Sequence, residues 1–141
     1  ANWRPAFERA YGLSMQWGLI IALGLGILWF ISGPTLVGVM TTNAEVRDYA
    51  AQYLPIAALC ALTFMPAFVY DGILIGSTLN VVMRNGMVVS LVVFLAAAFA
   101  LQPPFGNWGL WGALHCWFVA RGFIYWRALE RRKASLFAPA A

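Results

Sequence analysis

The chain has 141 residues, 62% of them hydrophobic and only 10% charged, with nine basic and five acidic side chains and a formal charge of +4. Globular domains average about 45–50% apolar and about 25% charged residues, so a soluble fold of this size is excluded for want of polar cover. The positive balance does not point to nucleic acid, which needs a basic patch on a solvated face; here the basic residues stand at the ends of long apolar runs.

No Asp, Glu, Lys or Arg occurs between Arg9 and Glu45, between Asp48 and Asp71, or between Arg84 and Arg121. A helix crossing about 30 Å of hydrocarbon needs about 20 mostly apolar residues, and each gap is long enough. The pattern predicts an all-α membrane protein with four transmembrane helices in one membrane domain, residues 1–141. The opening "ANWRPAFERA" has no initiator Met and no signal-peptide h-region, which reads as a chain entered partway.

The first span is expected over 11–40, with a kink at Gly33-Pro34 because proline removes a donor and crowds the preceding turn. A second helix, 44–78, is expected to start at a capping box formed by Thr42 and Glu45 and to run through Pro55 and Pro66. The third span, 82–101, has Ser90 as the polar group of its centre and is expected to break at "QPPFGN". The fourth, 108–126, has tryptophans near both ends, as membrane interfaces favour. A basic tail follows over 127–141. With four spans, Arg4, Arg9, Arg84, Arg127, Arg131, Arg132 and Lys133 share one side, and Arg47 faces the other between Glu45 and Asp48. The positive-inside bias then places both termini in the cytoplasm and the basic tail against anionic lipid.

Asp71 stands out in "FMPAFVYDGILIG". Helical rise puts it roughly 13 Å from the cytoplasmic face, where a charged Asp costs about 3 kcal/mol on insertion scales. Three readings fit: an ion-coupling carboxylate, one half of a buried ion pair, or a helix-end hydrogen bond. Arg121 lies at an overlapping depth, roughly 10 Å from the same face; it either pairs with Asp71 or snorkels to the interface. Phe64, Ala67, Phe68 and Ile75 share the Asp71 face and form an aromatic, apolar wall suited to a lipophilic cation, or ordinary helix packing. Gly72 and Gly76 make a GxxxG that would let backbones approach. His115 reads as an interhelical hydrogen bond, and Cys60 and Cys116 as small buried hydrophobes. No GxSxG, P-loop, HExxH or paired-carboxylate pattern occurs, so no enzymatic activity and no cofactor are expected.

The segments "PAFVYDGILIGSTLNVVMRNGMVVSL" and "FGNWGLWGALHCWFVARGF", with "FISGPTLVGVMTTNAEVRDYAAQYLP" before them, resemble the multidrug and toxic compound extrusion (MATE) transporters, and among them the DinF-like branch. The resemblance covers nearly the whole chain. It implies the last four of twelve helices in a two-lobe transporter, partnered by eight helices outside this chain, in the bacterial inner membrane. It implies secondary active efflux of multidrug or cationic substrates, coupled to H⁺ or Na⁺. Asp71 sits close to where sodium-coupled members hold a cation-binding carboxylate, with Tyr70 adjacent and Arg121 as a structural partner. Those members carry a tyrosine one turn earlier, where this chain has Ala67. Two other readings stand beside this one: a complete four-helix exporter, and a membrane anchor or assembly subunit binding haem or quinone through His115.

Overall fold

The computed structural model describes residues 3–136; the last five residues of the basic tail, 137–141, lie outside the described residues. The chain forms five helices: α1 (Arg4–Met40), α2 (Ala44–Ala51), α3 (Leu54–Gly76), α4 (Asn80–Phe105) and α5 (Asn107–Leu136). Their packing runs in the order α4, α5, α3, α1, with α2 lying on the end of α1. The starts of α1 and α4 and the ends of α3 and α5 meet at one end, where Tyr11, Tyr70, Met83, Tyr125 and Lys133 come into contact. Among the described residues there is no β-strand.

Three helices, α1, α3 and α4, are long and apolar enough to cross a membrane. The sequence pattern predicts four. The helix α5 falls outside that criterion because Gly, Trp, Tyr, His and Arg dilute its apolar residues, yet it packs against both α4 and α3. The outward faces are oil: Ile20, Ile21, Leu28 and Phe30 on α1, and Val88, Val92 and Phe99 on α4, are all exposed. Water would penalise those surfaces, whereas lipid tails do not. The chain is a multi-pass membrane protein.

Several helix ends differ from the sequence expectation. The expected helix 44–78 is two helices, parted at Gln52–Tyr53. Pro55 has no N–H for the carbonyl of Ala51 and clashes with it, so the chain turns first and Pro55 falls in the opening turn of α3, where a missing donor costs nothing. The cap of α2 is Asn43, not a box with Thr42: its Oδ1 accepts from the Glu45 N–H at 2.9 Å. "QPPFGN" does not break α4, which continues through Pro103 and Pro104 to Phe105. The chain reverses at Gly106, whose φ of 57° suits a residue without Cβ. Helix α1 is likewise continuous through Pro34. The Gly72/Gly76 motif makes no close approach among the described residues, since a Cβ at either would meet nothing.

Helix α3 ends in a Schellman motif: Leu79 N–H donates to Leu74 O at 2.8 Å and Thr78 N–H to Ile75 O at 3.0 Å. Leu79 then packs on the cluster of Tyr70, Leu74, Tyr125 and Leu129. The motif forces Thr78 to φ 56°, a left-handed conformation that costs an L-residue roughly 1–2 kcal/mol. Thr78→Gly should therefore raise the thermal midpoint, with a gain of about 1 kcal/mol after the entropy lost by glycine is set against the relief. A lower midpoint would show that the turn is not under this strain.

Candidate functional site

Asp71 lies on α3 five residues before its C-terminus, roughly 7.5 Å along the axis, closer to the helix end than the sequence suggests because α3 stops at Gly76. Arg121 lies on α5 and crosses to it: Nη2 donates to Asp71 Oδ2 at 2.6 Å. The two side chains are 9% and 15% exposed, so the pair is sequestered and Arg121 does not reach for the interface. The guanidinium has other holds. Its Nε donates to the Tyr125 hydroxyl at 3.3 Å, and its Cζ stands 5.9 Å from the Phe118 ring centre and 5.5 Å from that of Tyr125. Tyr125 in turn donates to the Met83 carbonyl at 3.1 Å, tying in α4. One atom is unsatisfied: Asp71 Oδ1 is buried and has no hydrogen-bond partner among the described residues. Such an atom costs free energy where it stands and offers a free lone pair to a proton or a cation.

Tyr70, next in sequence to Asp71, points elsewhere. Its hydroxyl meets that of Tyr11 at 2.8 Å, and Lys133 stands 5.4 Å above the Tyr11 ring. The two neighbours thus serve different contacts: Asp71 joins α3 to α5, and Tyr70 joins α3 to α1.

The aromatic residues divide as well. Phe64 and Phe68 line an open apolar groove of about 380 Å³ between α1 and α3, with Gly18, Ala22 and Met65. Phe64 stacks on Phe118 with ring centres 3.7 Å apart, so Phe118 touches the groove aromatics on one side and the Arg121 cation on the other. Ala67 is fully buried, against α5 beside Gly122. Ile75 is 56% exposed and lines no part of that groove. Sequence reasoning did not find Tyr125, Phe118 or Tyr11. Tyr125 and Phe118 were legible only as residues four and three positions from Arg121 on its own helix face.

His115 is engaged by its neighbours. Its Nδ1 lies 2.7 Å from Thr63 Oγ1, and its Nε2 lies 3.2 Å from the Ile56 carbonyl. Both ring nitrogens serve the α3–α5 contact, as the interhelical reading expected, and a haem iron would have to break one of these bonds. Cys60 is buried beside it and Cys116 is exposed. Among the described residues no cluster of His, Cys, Asp and Glu could hold a metal ion.

The profile of the MatE family matches residues 1–103, which carry α1 to α3 and nearly all of α4. DNA damage-inducible protein F of Escherichia coli (strain K12) is 28% identical over 103 residues, 73% of this chain. The match spans 22% of that relative's length. No solved structure matches the chain. A profile match over most of the chain, a similar relative of the DinF type and three helices long and apolar enough to cross a membrane agree: the chain belongs to the MatE family.

Proposed function

We infer that this chain is the C-terminal part of a secondary active multidrug or cation efflux antiporter, driven by H⁺ or Na⁺ in a bacterial inner membrane, with both termini cytoplasmic. The observation that carries the reading is Asp71: a buried carboxylate with Oδ2 held by Arg121 and Oδ1 left open. With Asp71 ionised, the pair has no net charge. A proton on Oδ1 leaves a neutral acid beside an arginine, and the site becomes cationic. A cationic substrate nearby is then repelled, by an amount that grows as water is excluded. Proton and substrate therefore compete, which is what antiport needs, and a cation on Oδ1 acts by the same arithmetic.

Phe118 gives that charge a path to the groove. Its ring faces Arg121 and is stacked on Phe64. When Asp71 is neutralised, the arginine depends more on ring faces and on the Tyr125 hydroxyl, so Phe118 and Phe64 feel the change. Phe64 and Phe68 form the aromatic wall offered to a lipophilic substrate; the remaining helices of the transporter would close it. Lobes that rock about a site enclosed between helices are the general design of repeat-built transporters.

The test is Asp71→Asn in the protein expressed from its complete reading frame, in cells stripped of other exporters. Dye export should fall by roughly tenfold or more, the scale of strong coupling between two sites, and what remains should lose its dependence on pH and Na⁺. Unchanged export with unchanged ion dependence would remove Asp71 from the coupling role. The same reading frame should encode eight further spans upstream of Ala1; a frame without them favours the complete four-helix exporter.

A further inference from the structure

Between α4 and α5, where α4 begins and α5 ends, lies a groove of about 390 Å³. Its upper walls are apolar, from Val82 and Val89 on α4 and Ile124 and Ala128 on α5. Its floor is Gly86, which is buried, and any Cβ on it would collide with the Tyr125 ring. Its mouth is polar, with Asn85 on α4 and Arg131 and Arg132 on α5. The lining holds two cations and no acid. Asn85 and Arg131 have no hydrogen-bond or ion-pair partner among the described residues. The nearest acid in sequence, Glu130, is taken by Lys133.

Along the helix axis Arg131 and Arg132 stand at the end where α4 starts and Val89 and Ile124 stand deeper, the order of head and tail in a phospholipid, with Asn85 one turn inside Val82. Val82 and Val89 lie on the first turns of α4, an apolar spanning helix, and the arginines lie on the last turns of α5, at the end where α4 starts. An acyl chain fits the apolar part that opens to the hydrocarbon. A phosphate at the interface then falls beside two guanidinium groups, which hold phosphate oxygens in a fixed fork, and basic pockets between membrane helices suit anionic headgroups. We propose that the α4–α5 groove is a binding site for an anionic phospholipid of the surrounding leaflet, with its phosphate at the Arg131 and Arg132 end and one acyl chain between Val89 and Ile124. The site depends on the chain lying in a membrane and not on the transport reading.

The test uses the protein from its complete reading frame, purified in mild detergent with dioleoyl phosphatidylglycerol or dioleoyl phosphatidylcholine, and reads retained lipid by native mass spectrometry. The wild type should retain phosphatidylglycerol about thirtyfold better than phosphatidylcholine, the scale expected of two arginines at a membrane surface. Arg131→Gln with Arg132→Gln should abolish that preference. Arg84→Gln with Arg127→Gln removes the same charge outside the groove and should leave it intact. Val89→Trp fills the apolar wall from an exposed position and should cut retention with both arginines present. Equal loss in the two charge pairs would show diffuse attraction and overturn the site. Retention untouched by Val89→Trp would overturn the acyl seat, and displacement by millimolar inorganic phosphate would show an anion site without lipid character.

Discussion

Arg121→Leu should destabilise the protein by about 3 kcal/mol, the lower end of the range for a buried ion pair that loses one partner. The lower end applies because the Asp71 side chain keeps 15% of its surface exposed and some screening with it. Asp71 Oδ1 already lacks a hydrogen-bond partner among the described residues, and the substitution strips Oδ2 of its arginine. The carboxylate is then buried with neither oxygen paired. In a thermal melt in detergent the midpoint should fall on the order of 10 °C. The reverse change should be milder. After Asp71→Asn, the guanidinium keeps the Tyr125 hydroxyl and the two ring faces, and the amide can still accept a hydrogen bond. Asp71→Leu together with Arg121→Leu should recover most of the loss, because a buried pair replaced by apolar side chains is often neutral. If Arg121→Leu alone leaves the midpoint unmoved, the carboxylate has a route to water, and the coupling role assigned to Asp71 loses its basis.

That pair was one of two readings the sequence left open, beside an arginine snorkelling to the interface. Counting 1.5 Å per residue from the span ends places Asp71 and Arg121 at overlapping depth, and two opposite charges confined to one layer of hydrocarbon have strong reason to meet. Their surroundings were not legible in the same way. Tyr125 and Phe118 look like ordinary aromatic residues of an apolar helix; only the rotation of α5 against α3 and α4 turns them onto the guanidinium. Tyr70, which the resemblance placed beside Asp71, has a different contact: neighbouring helix positions point about 100° apart, and its hydroxyl reaches α1. The helix ends were misplaced. Proline was read as a breaker at 103 and 104, but in the last turn of a membrane helix it removes two donors without stopping the chain, and the reversal waits for Gly106. Pro55 was read as an internal kink, and it opens a new helix.

A glycine outside the GxxxG motif, Gly86, sits tightly against α5, and its substitution should be nearly as costly as that of Arg121. Gly86 faces the ring of Tyr125, with Ile124 close behind. Tyr125 is fully buried and cannot swing away, because its hydroxyl is held between Arg121 and the Met83 carbonyl. Gly86→Ala should therefore cost about 1–3 kcal/mol by overpacking, and Gly86→Leu should prevent α4 and α5 from closing. The strain has one identifiable source, so it can be separated from the loss of glycine itself. Tyr125→Ala alone should cost about 3–5 kcal/mol as a large-to-small change in a packed interior. In that background Gly86→Ala should cost almost nothing, or gain slightly from the better helix propensity of alanine. The two substitutions should thus be strongly non-additive, as contacting residues are, with thermal midpoints as the readout. Additive losses would mean that the ring yields and that α4 is not registered on α5 through Tyr125. The arginine site would then lose the wall that fixes its geometry, since the hydroxyl that strain would displace is the one that Arg121 donates to.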